Sequence, residues 1–225
     1  MPLLHVLEVF VSPEGEGGNA LGVFLEGPEV PEPERQRVAH ELGFSETVYV
    51  DDAGRGEIRI FTPVSELPFA GHPCVGTAWL LRREREAVDA LRPPPGEIPV
   101  RYENGDFIWI AARPEWSPPF DFVQLGSPGE VDGVTEPPND SGLAYCWAWE
   151  DEAAGRVRAR GLFPDEGIEE DEATGSAAVA LSGMLGRPLE IRQGRGSRMA
   201  TRLRDDGYVE VGGLTRAVER REFEL

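Results

Sequence analysis

The chain has 225 residues, enough for one large domain or two small ones, and its 41 acidic against 22 basic residues give a net charge of −19. This charge argues against nucleic-acid binding, because proteins that bind phosphate backbones need a basic surface. Every basic residue is an arginine. The missing lysine excludes a Schiff-base lysine, hence ordinary pyridoxal-phosphate chemistry, and a Walker-type phosphate loop.

Cysteine and histidine usage and the hydropathy pattern bound the class further. Two cysteines and three histidines are too few and too scattered for a zinc cluster or a disulfide framework, so we expect no metal site. The first ten residues lack a basic region and include Glu8, which is typical of a first strand rather than a signal peptide. No apolar run approaches membrane-spanning length. We therefore expect a cytoplasmic protein that binds neither membranes nor nucleic acids.

Short alternating runs bounded by Gly, Pro, Asp or Asn predict strands along the whole chain. The predicted strands span residues 6–11, 23–25, 47–50, 58–61, 107–111, 144–149, 157–160 and 208–211. Helical patterns are fewer and cover residues 33–42, 74–85 and 176–185. Pro33 lies where a helix start tolerates proline, and Gly43 follows the first helix as a stop signal.

Two glycine-containing segments, one in each half, have the same organisation. Gly71-His72-Pro73 and Thr174-Gly175-Ser176 each follow an extended stretch with Phe-x-Pro or Phe-Pro, and each leads into a small apolar helix. Glycine lets the backbone approach a ligand, and a helix start offers unpaired N–H groups at the positive end of its dipole. The pair predicts a cradle for a small anion.

The same two segments suggest an internal repeat. Aligning Gly71 with Gly175 places the helices in register, and Arg-Pro follows each helix. Several matches in the same order favour a duplicated strand-rich unit with one buried helix, hence an α+β fold of two pseudo-symmetric lobes, residues 1–113 and 114–225. The last strand either stays in the second lobe or returns to the first. Two unrelated glycine-capped helices in one domain are the alternative.

Three ionisable side chains lie beside glycines at the edges of these elements: Glu46, His72 and Asp171. Glu46 falls between a helix end and a strand, where desolvation could raise its pKa toward neutrality and make it a general base. Each residue also has an ordinary interpretation. Glu46 would be a solvated loop residue, His72 a capping or packing side chain, and Asp171 an acidic helix cap.

Cys74 is a further candidate, as a nucleophile. It lies in the first turn of a predicted helix, where a thiolate is favoured. Residues one or two apart on a helix point to different sides, so a dyad of His72 and Cys74 is not implied. A small packed side chain is the simpler interpretation, and a Cys74-dependent hydrolase or transferase is the minor alternative.

An ordered set of motifs extends along nearly the whole chain. The set consists of Gly17-Gly18-Asn19-Ala20, Ser45-Glu46-Thr47, Phe61-Thr62-Pro63, Ala70-Gly71-His72-Pro73, residues 170–177, Gln193-Gly194 and Val211-Gly212-Gly213. Together these motifs resemble the phenazine-biosynthesis PhzC/PhzF family, which shares the diaminopimelate-epimerase fold. Each motif alone is modest evidence, and the order of all of them is strong.

The resemblance implies a fold and a set of site residues. Each lobe would be a barrel-like β-sheet around a central helix, with the site between the lobes. Glu46 would be the catalytic acid/base, with His72 and Asp171 as its catalytic partners in contact with the substrate. The implied substrate-binding positions are Asn19, Gly71, Pro73, Thr174, Gly175 and Ser176.

The chain also departs from the family. Ala70 and Thr174 occupy the places where related epimerases of this fold use two thiols, so a two-cysteine racemase or epimerase is not expected. The chain is short for the family, with the shortfall around residues 128–141 and 150–156. The family's usual proline after the aspartate is Glu172 here.

These observations lead to one main functional hypothesis. We expect a PhzF-like isomerase that needs no cofactor and moves a proton within a small carboxylate substrate, with Glu46 as acid/base. The protein would be a homodimer. The alternative is a catalytically inactive small-anion-binding protein of the same fold, because a fold can outlive its chemistry.

Overall fold

A mainly antiparallel sheet runs through the computed structural model, which describes residues 1–94 and 96–225. The strands are β1 Leu3–Val11, β2 Asn19–Phe24, β3 Glu46–Asp52, β4 Glu57–Phe61, β5 Glu66–Leu67, β6 Ala90–Leu91, β7 Ile98–Tyr102, β8 Phe107–Ala112, β9 Asp121–Gln124, β10 Ala144–Asp151, β11 Arg156–Phe163, β12 Ile168–Asp171, β13 Glu190–Gln193, β14 Ser197–Leu203 and β15 Val209–Glu222. The predicted strands are confirmed, most of them with longer bounds.

The helices are α1 Glu32–Leu42, α2 Gly71–Glu84, α3 Pro128–Asp132 and α4 Gly175–Leu185. The three predicted helices are therefore confirmed. Helix α2 begins three residues earlier than predicted, because a proline in the first turn loses no helical hydrogen bond. Helix α1 ends at Gly43, whose φ of 64° is the left-handed conformation that favours glycine. No helix in the described part of the chain is long and apolar enough to cross a membrane.

Strands from the first half, together with the C-terminal strand β15, close around α2. In order of pairing the ring runs β4, β3, β2, β1, β15, β8, β7 and β6, and a bridge between Glu57 and Arg92 joins its two ends. Residues 71–81 of α2 are all buried inside this ring. The expected barrel-like sheet around a central helix is confirmed for this half. An apolar helix of this kind is stable only when it is covered on all sides.

The second half repeats this arrangement around α4. Strands β9, β10, β11, β13, β14 and β15 follow one another in the sheet, and α4 packs against β14 and β15. The long strand β15 pairs with β14 and also with β1 and β8. It therefore joins both halves, and the division into residues 1–113 and 114–225 stays a prediction.

The starts of the two central helices touch. A Cβ atom placed on Gly71 would lie 2.7 Å from the Cα and carbonyl carbon of Gly175, and one on Gly175 would lie 2.9 Å from the Cα of Gly71. Real Cβ atoms do not approach backbone so closely, so each position requires glycine for space. The contact brings the positive ends of both helix dipoles to one place.

We expect Gly71→Ala to lower the free energy of unfolding by roughly 1–3 kcal/mol, because the added methyl group must push the two helix starts apart. Urea denaturation measures this loss. The matched control is Gly54→Ala, where the new Cβ would lie 3.5 Å from the nearest atom, an ordinary contact. Equal stability of the two variants would mean that the helix starts are not held as tightly as this contact requires.

Candidate active site

A narrow cavity of about 60 Å³ opens beside the two helix starts. Its polar side is formed by Glu46, Asp171, Thr174 and Ser176, and Glu166 and Thr62 also line it. The apolar side comprises Leu67, Phe69, Ala70, Pro118, Phe120, Leu143, Phe163 and Ile168. Residues from both halves of the chain thus share one cavity that combines ionisable groups with an apolar wall.

Glu46 is the first residue of β3, directly after the turn that ends α1. Only 8% of it is exposed, and its Oε2 atom has no hydrogen-bond partner in the described structure. Burial raises the pKa of Glu46 well above its usual value, and the nearby charges of Asp171 and Glu166 add to the effect. A carboxyl in such a place is protonated more readily than one in water.

His72, in the first turn of α2, faces Glu46. The His72 Nε2 and Glu46 Oε2 atoms are 3.2 Å apart, but they are not aligned as a hydrogen bond. Burial lowers the pKa of His72 to about 3, and the Ala20 carbonyl offsets this only in part. The imidazole is therefore neutral near pH 7, and this contact is not an ion pair.

Asp171, at the end of β12, is the best-satisfied acid of the site. Its Oδ1 accepts a hydrogen bond from Asn19 Nδ2 at 2.6 Å, and its Oδ2 accepts one from Thr174 Oγ1 at 2.6 Å. Burial raises the pKa of Asp171 to about 6, while the hydrogen bonds from Thr174 and Asn19 act in the opposite direction. Asp171 thus stays largely ionised near neutral pH.

Asn19 brings these residues together. Besides its bond to Asp171, its Nδ2 donates to the Ala173 carbonyl at 3.0 Å and lies 3.3 Å from His72 Nδ1. Its Oδ1 accepts a hydrogen bond from Ser45 Oγ at 3.0 Å. The side chain that we expected to contact a substrate is thus occupied with protein partners, and it is not among the residues that line the cavity.

The other predicted binding positions divide into two groups. Thr174 and Ser176 line the cavity, while Gly71, Pro73 and Gly175 lie among the buried residues of the helix starts. Because the first N–H groups of a helix have no partner within it, both helix starts have donors available at this place. The structure thus gathers every predicted site residue within one small region.

Sequence reasoning assigned no role to Gln193 and overlooked Tyr145. Gln193 Oε1 accepts hydrogen bonds from the Thr174 amide at 3.1 Å and the Tyr145 hydroxyl at 2.9 Å. Its Nε2 donates to the Asp171 carbonyl and to Thr174 Oγ1, both at 2.8 Å. This buried amide fixes the turn between Asp171 and α4. The Gln193-Gly194 motif was the available signal.

Cys74 does not have the surroundings of a nucleophile. It is fully buried, and burial raises the pKa of its thiol to about 12. A thiol that does not ionise is neither a nucleophile nor a metal ligand. The minor alternative of a Cys74-dependent transferase or hydrolase therefore loses its support. Among the described residues, no group of three or more His, Cys, Asp and Glu side chains is arranged to hold a metal ion.

Comparison with known proteins places the chain among relatives. The family model PhzC-PhzF, phenazine biosynthesis-like protein, matches residues 7–113. A trans-2,3-dihydro-3-hydroxyanthranilate isomerase of Pseudomonas aeruginosa is 32% identical over 268 aligned positions, which cover 92% of this chain and 94% of the relative. The isomerase of the same name from Pseudomonas fluorescens is 31% identical, covering 84% of each chain. A crystal structure of a PhzF-family phenazine biosynthesis protein from Enterococcus faecalis is 20% identical, with a TM-score of 0.78 over 100% of this chain and 99% of that one.

The chain belongs to the PhzC/PhzF family. It is an isomerase of the PhzF type, because relatives that match along most of their length are isomerases. The expected family and α+β fold are thereby confirmed. The alignment with the Pseudomonas aeruginosa relative extends over 268 positions, whereas this chain has 225 residues, so this PhzF-family chain lacks segments that the relative has.

The raised pKa of Glu46 predicts how the stability of the protein depends on pH. Because the folded-state pKa is raised, the stability that Glu46 contributes is fully present below its unfolded value of 4.5 and is lost as the pH rises through the folded value. We expect Glu46→Gln to melt roughly a few degrees higher than the natural protein at pH 7–8, with the difference shrinking toward pH 4. Thermal denaturation across this pH range measures it.

The exposed Glu29 provides the control for this measurement. We expect Glu29→Gln to leave the melting temperature nearly unchanged at every pH, because surface substitutions away from special contacts have small effects. A Glu46→Gln variant that was less stable at pH 8 than at pH 4, relative to the natural protein, would show that Glu46 is ionised and favourably paired in the folded state.

Proposed function

We propose that this cavity catalyses a cofactor-independent isomerisation, in which Glu46 moves a proton within a small carboxylate substrate. The observation that carries the proposal is a buried carboxyl with a raised pKa and an unpartnered oxygen, lining a cavity beside two helix starts. Strongly perturbed acids in clefts are typical of catalytic sites. A carboxyl that is only structural normally has both oxygens satisfied.

The helix starts supply the attraction for the substrate carboxylate. None of the described residues that line the cavity carries a positive charge, and Glu46, Glu166 and Asp171 are acidic. An anion therefore depends on the N–H groups and dipoles of α2 and α4, which act over the short distance at which Gly71 and Gly175 meet. The same donors would stabilise negative charge that develops on the carboxylate during proton removal.

The chemistry is a proton shift with no net oxidation. Ionised Glu46 takes a proton from carbon, so that a C–H bond breaks and its electrons move into the adjacent unsaturated system. Protonated Glu46 then returns the proton to another carbon, a new C–H bond forms, and the double bond changes place. A raised pKa suits both steps, because the ionised group is a stronger base than an ordinary carboxylate and the protonated group can return the proton. Neutral His72, whose Nε2 lies 3.2 Å from Glu46 Oε2 without a hydrogen bond, would orient the substrate or share in proton transfer once a substrate is bound.

The apolar wall suggests the shape of the rest of the substrate. Phe69, Phe120 and Phe163 are among the apolar residues that line the cavity. Aromatic walls of this kind suit a flat ring. The first compound to test is trans-2,3-dihydro-3-hydroxyanthranilate, after which the Pseudomonas relatives are named. The alternative, an anion-binding protein without catalysis, has one supporting observation, the segments that this chain lacks.

Glu46→Gln separates the two functions. We expect this variant still to bind the compound but to turn it over about a hundredfold or more slowly, since this is the usual contribution of one acid–base group. NMR of the compound in deuterium oxide measures both conversion and incorporation of deuterium at carbon. Glu29→Gln is the control and should match the natural protein. Binding with neither conversion nor deuterium incorporation by the natural protein would favour the binding function, and unchanged turnover in Glu46→Gln would remove Glu46 from the mechanism.

Charge selection at the helix starts can be measured separately by thermal shift. A small carboxylate at about a hundred times its dissociation constant should raise the free energy of unfolding by roughly 2.7 kcal/mol. The neutral amide of the same compound is the matched control and should raise it much less, because it does not complement the helix dipoles. If amides or amines stabilised the protein while carboxylates did not, the helix starts would not be an anion site.

A further inference from the structure

Glu172 follows Asp171 in the chain but lies outside the cavity lining. Only 13% of its side chain is exposed, although it carries a carboxylate. Its Oε1 accepts a hydrogen bond from the Arg195 backbone N–H at 2.7 Å and another from Ser197 Oγ at 3.0 Å. Its Oε2 is 3.2 Å from Arg195 Nε. Glu172 thus binds the turn between β13 and β14.

Ser197 extends this connection to the first half of the chain. Its Oγ accepts a buried hydrogen bond from the Gly18 N–H at 2.8 Å. The backbones are also in close contact, since a Cβ on Gly17 would lie 2.3 Å from the Ser197 nitrogen. Glu172, Ser197 and Gly18 therefore form a continuous chain of hydrogen bonds, which we call the outer link.

The outer link joins the same two segments that Asn19 joins inside the site. Asn19 follows Gly18 and donates to Asp171 Oδ1 and to the Ala173 carbonyl. Asp171 and Ala173 are the two neighbours of Glu172 in sequence. The segment 171–173 is therefore held against residues 18–19 at three successive positions, two through Asn19 and one through Glu172.

We propose that Glu172 is a positioning residue of the site: through Ser197 and Gly18 its carboxylate keeps Asp171 in contact with Asn19 beside His72. That Asp171 matters for catalysis rests on the proposed function. The hydrogen bonds of the outer link, however, exist in the ligand-free protein. The Arg195 side chain contributes little to the outer link, because it is 84% exposed and exposed ion pairs are weak.

The negative charge of Glu172 has a second consequence. It adds to burial in raising the pKa of Asp171. Other ionisable groups near Asp171 are Glu46, Tyr145 and Glu166, and His72 lies against the same Asn19 amide as Asp171. The effects of the hydrogen bonds and of the charge of Glu172 can be separated in Glu172→Gln, because glutamine keeps a carbonyl oxygen for the Arg195 and Ser197 donors but carries no charge.

The test uses Glu172→Ala and Glu172→Gln in the ligand-free protein. We expect the amide protons of Gly18 and Arg195 to exchange with solvent roughly tenfold faster in Glu172→Ala, because both lose support from the outer link. Glu172→Gln should keep most of the protection. In Glu172→Gln, which removes the charge but keeps the outer link, the Asp171 carboxyl, followed by carbon NMR and assigned with Asp171→Asn, should titrate at lower pH.

Glu170→Gln is the matched control. Glu170 lies on the other side of Asp171 and pairs with Arg160 rather than with the outer link. This variant should change neither the exchange of Gly18 nor the titration of Asp171 by a comparable amount. Unchanged Gly18 exchange in Glu172→Ala would overturn the positioning role. If Glu172→Ala did not fold, Ser197→Ala would take its place. Loss of Gly18 protection in Ser197→Ala, with protection kept in Glu172→Gln, would support the positioning role. Full protection in Ser197→Ala would contradict that role. None of these readouts depends on Glu46 being the acid/base.

Discussion

The contact between Gly71 and Gly175 is the constraint on which the rest of the structure depends. Two helices whose starts touch must point away from each other, and each then needs a sheet around it to bury its apolar surface. Strand β15, which pairs with β14, β1 and β8, holds these two sheets together. Because two positive dipole ends meet there, negative charge is favoured at the centre of the molecule.

The ionisable side chains around this contact differ in how their surroundings shift their pKa values. Asp171 accepts two short hydrogen bonds, and with a pKa of about 6 it stays largely ionised near neutral pH. Glu46 has an unpartnered oxygen, and burial therefore raises its pKa further. His72 is neutral because the Ala20 carbonyl offsets only part of the effect of its burial. Environments that push the pKa values of neighbouring groups apart are typical of acid–base catalysis.

Much of this arrangement follows from local sequence patterns. Long alternating runs identified strands such as β1 and β10, and the glycine segments identified both central helices. Strands β13 and β14 were missed because arginines interrupt their apolar alternation. Strand β15 continues to Glu222 through an exposed, charged segment that only its pairing with β1 orders. Asn19 lies 152 residues from Asp171, so no local pattern reveals that contact.

Strong overall acidity and an anion site are compatible in one molecule. The net charge of −19 comes mostly from exposed carboxylates, and solvent ions screen these over about 8 Å at physiological salt. The N–H groups of α2 and α4 act at hydrogen-bonding distance, where no such screening occurs. Glu46, Glu166 and Asp171 oppose an anion in the cavity, but the raised pKa of Glu46 favours its neutral form more than in an exposed carboxyl. The same burial that suits Glu46 to its proposed role as acid/base therefore also weakens its repulsion of an incoming carboxylate.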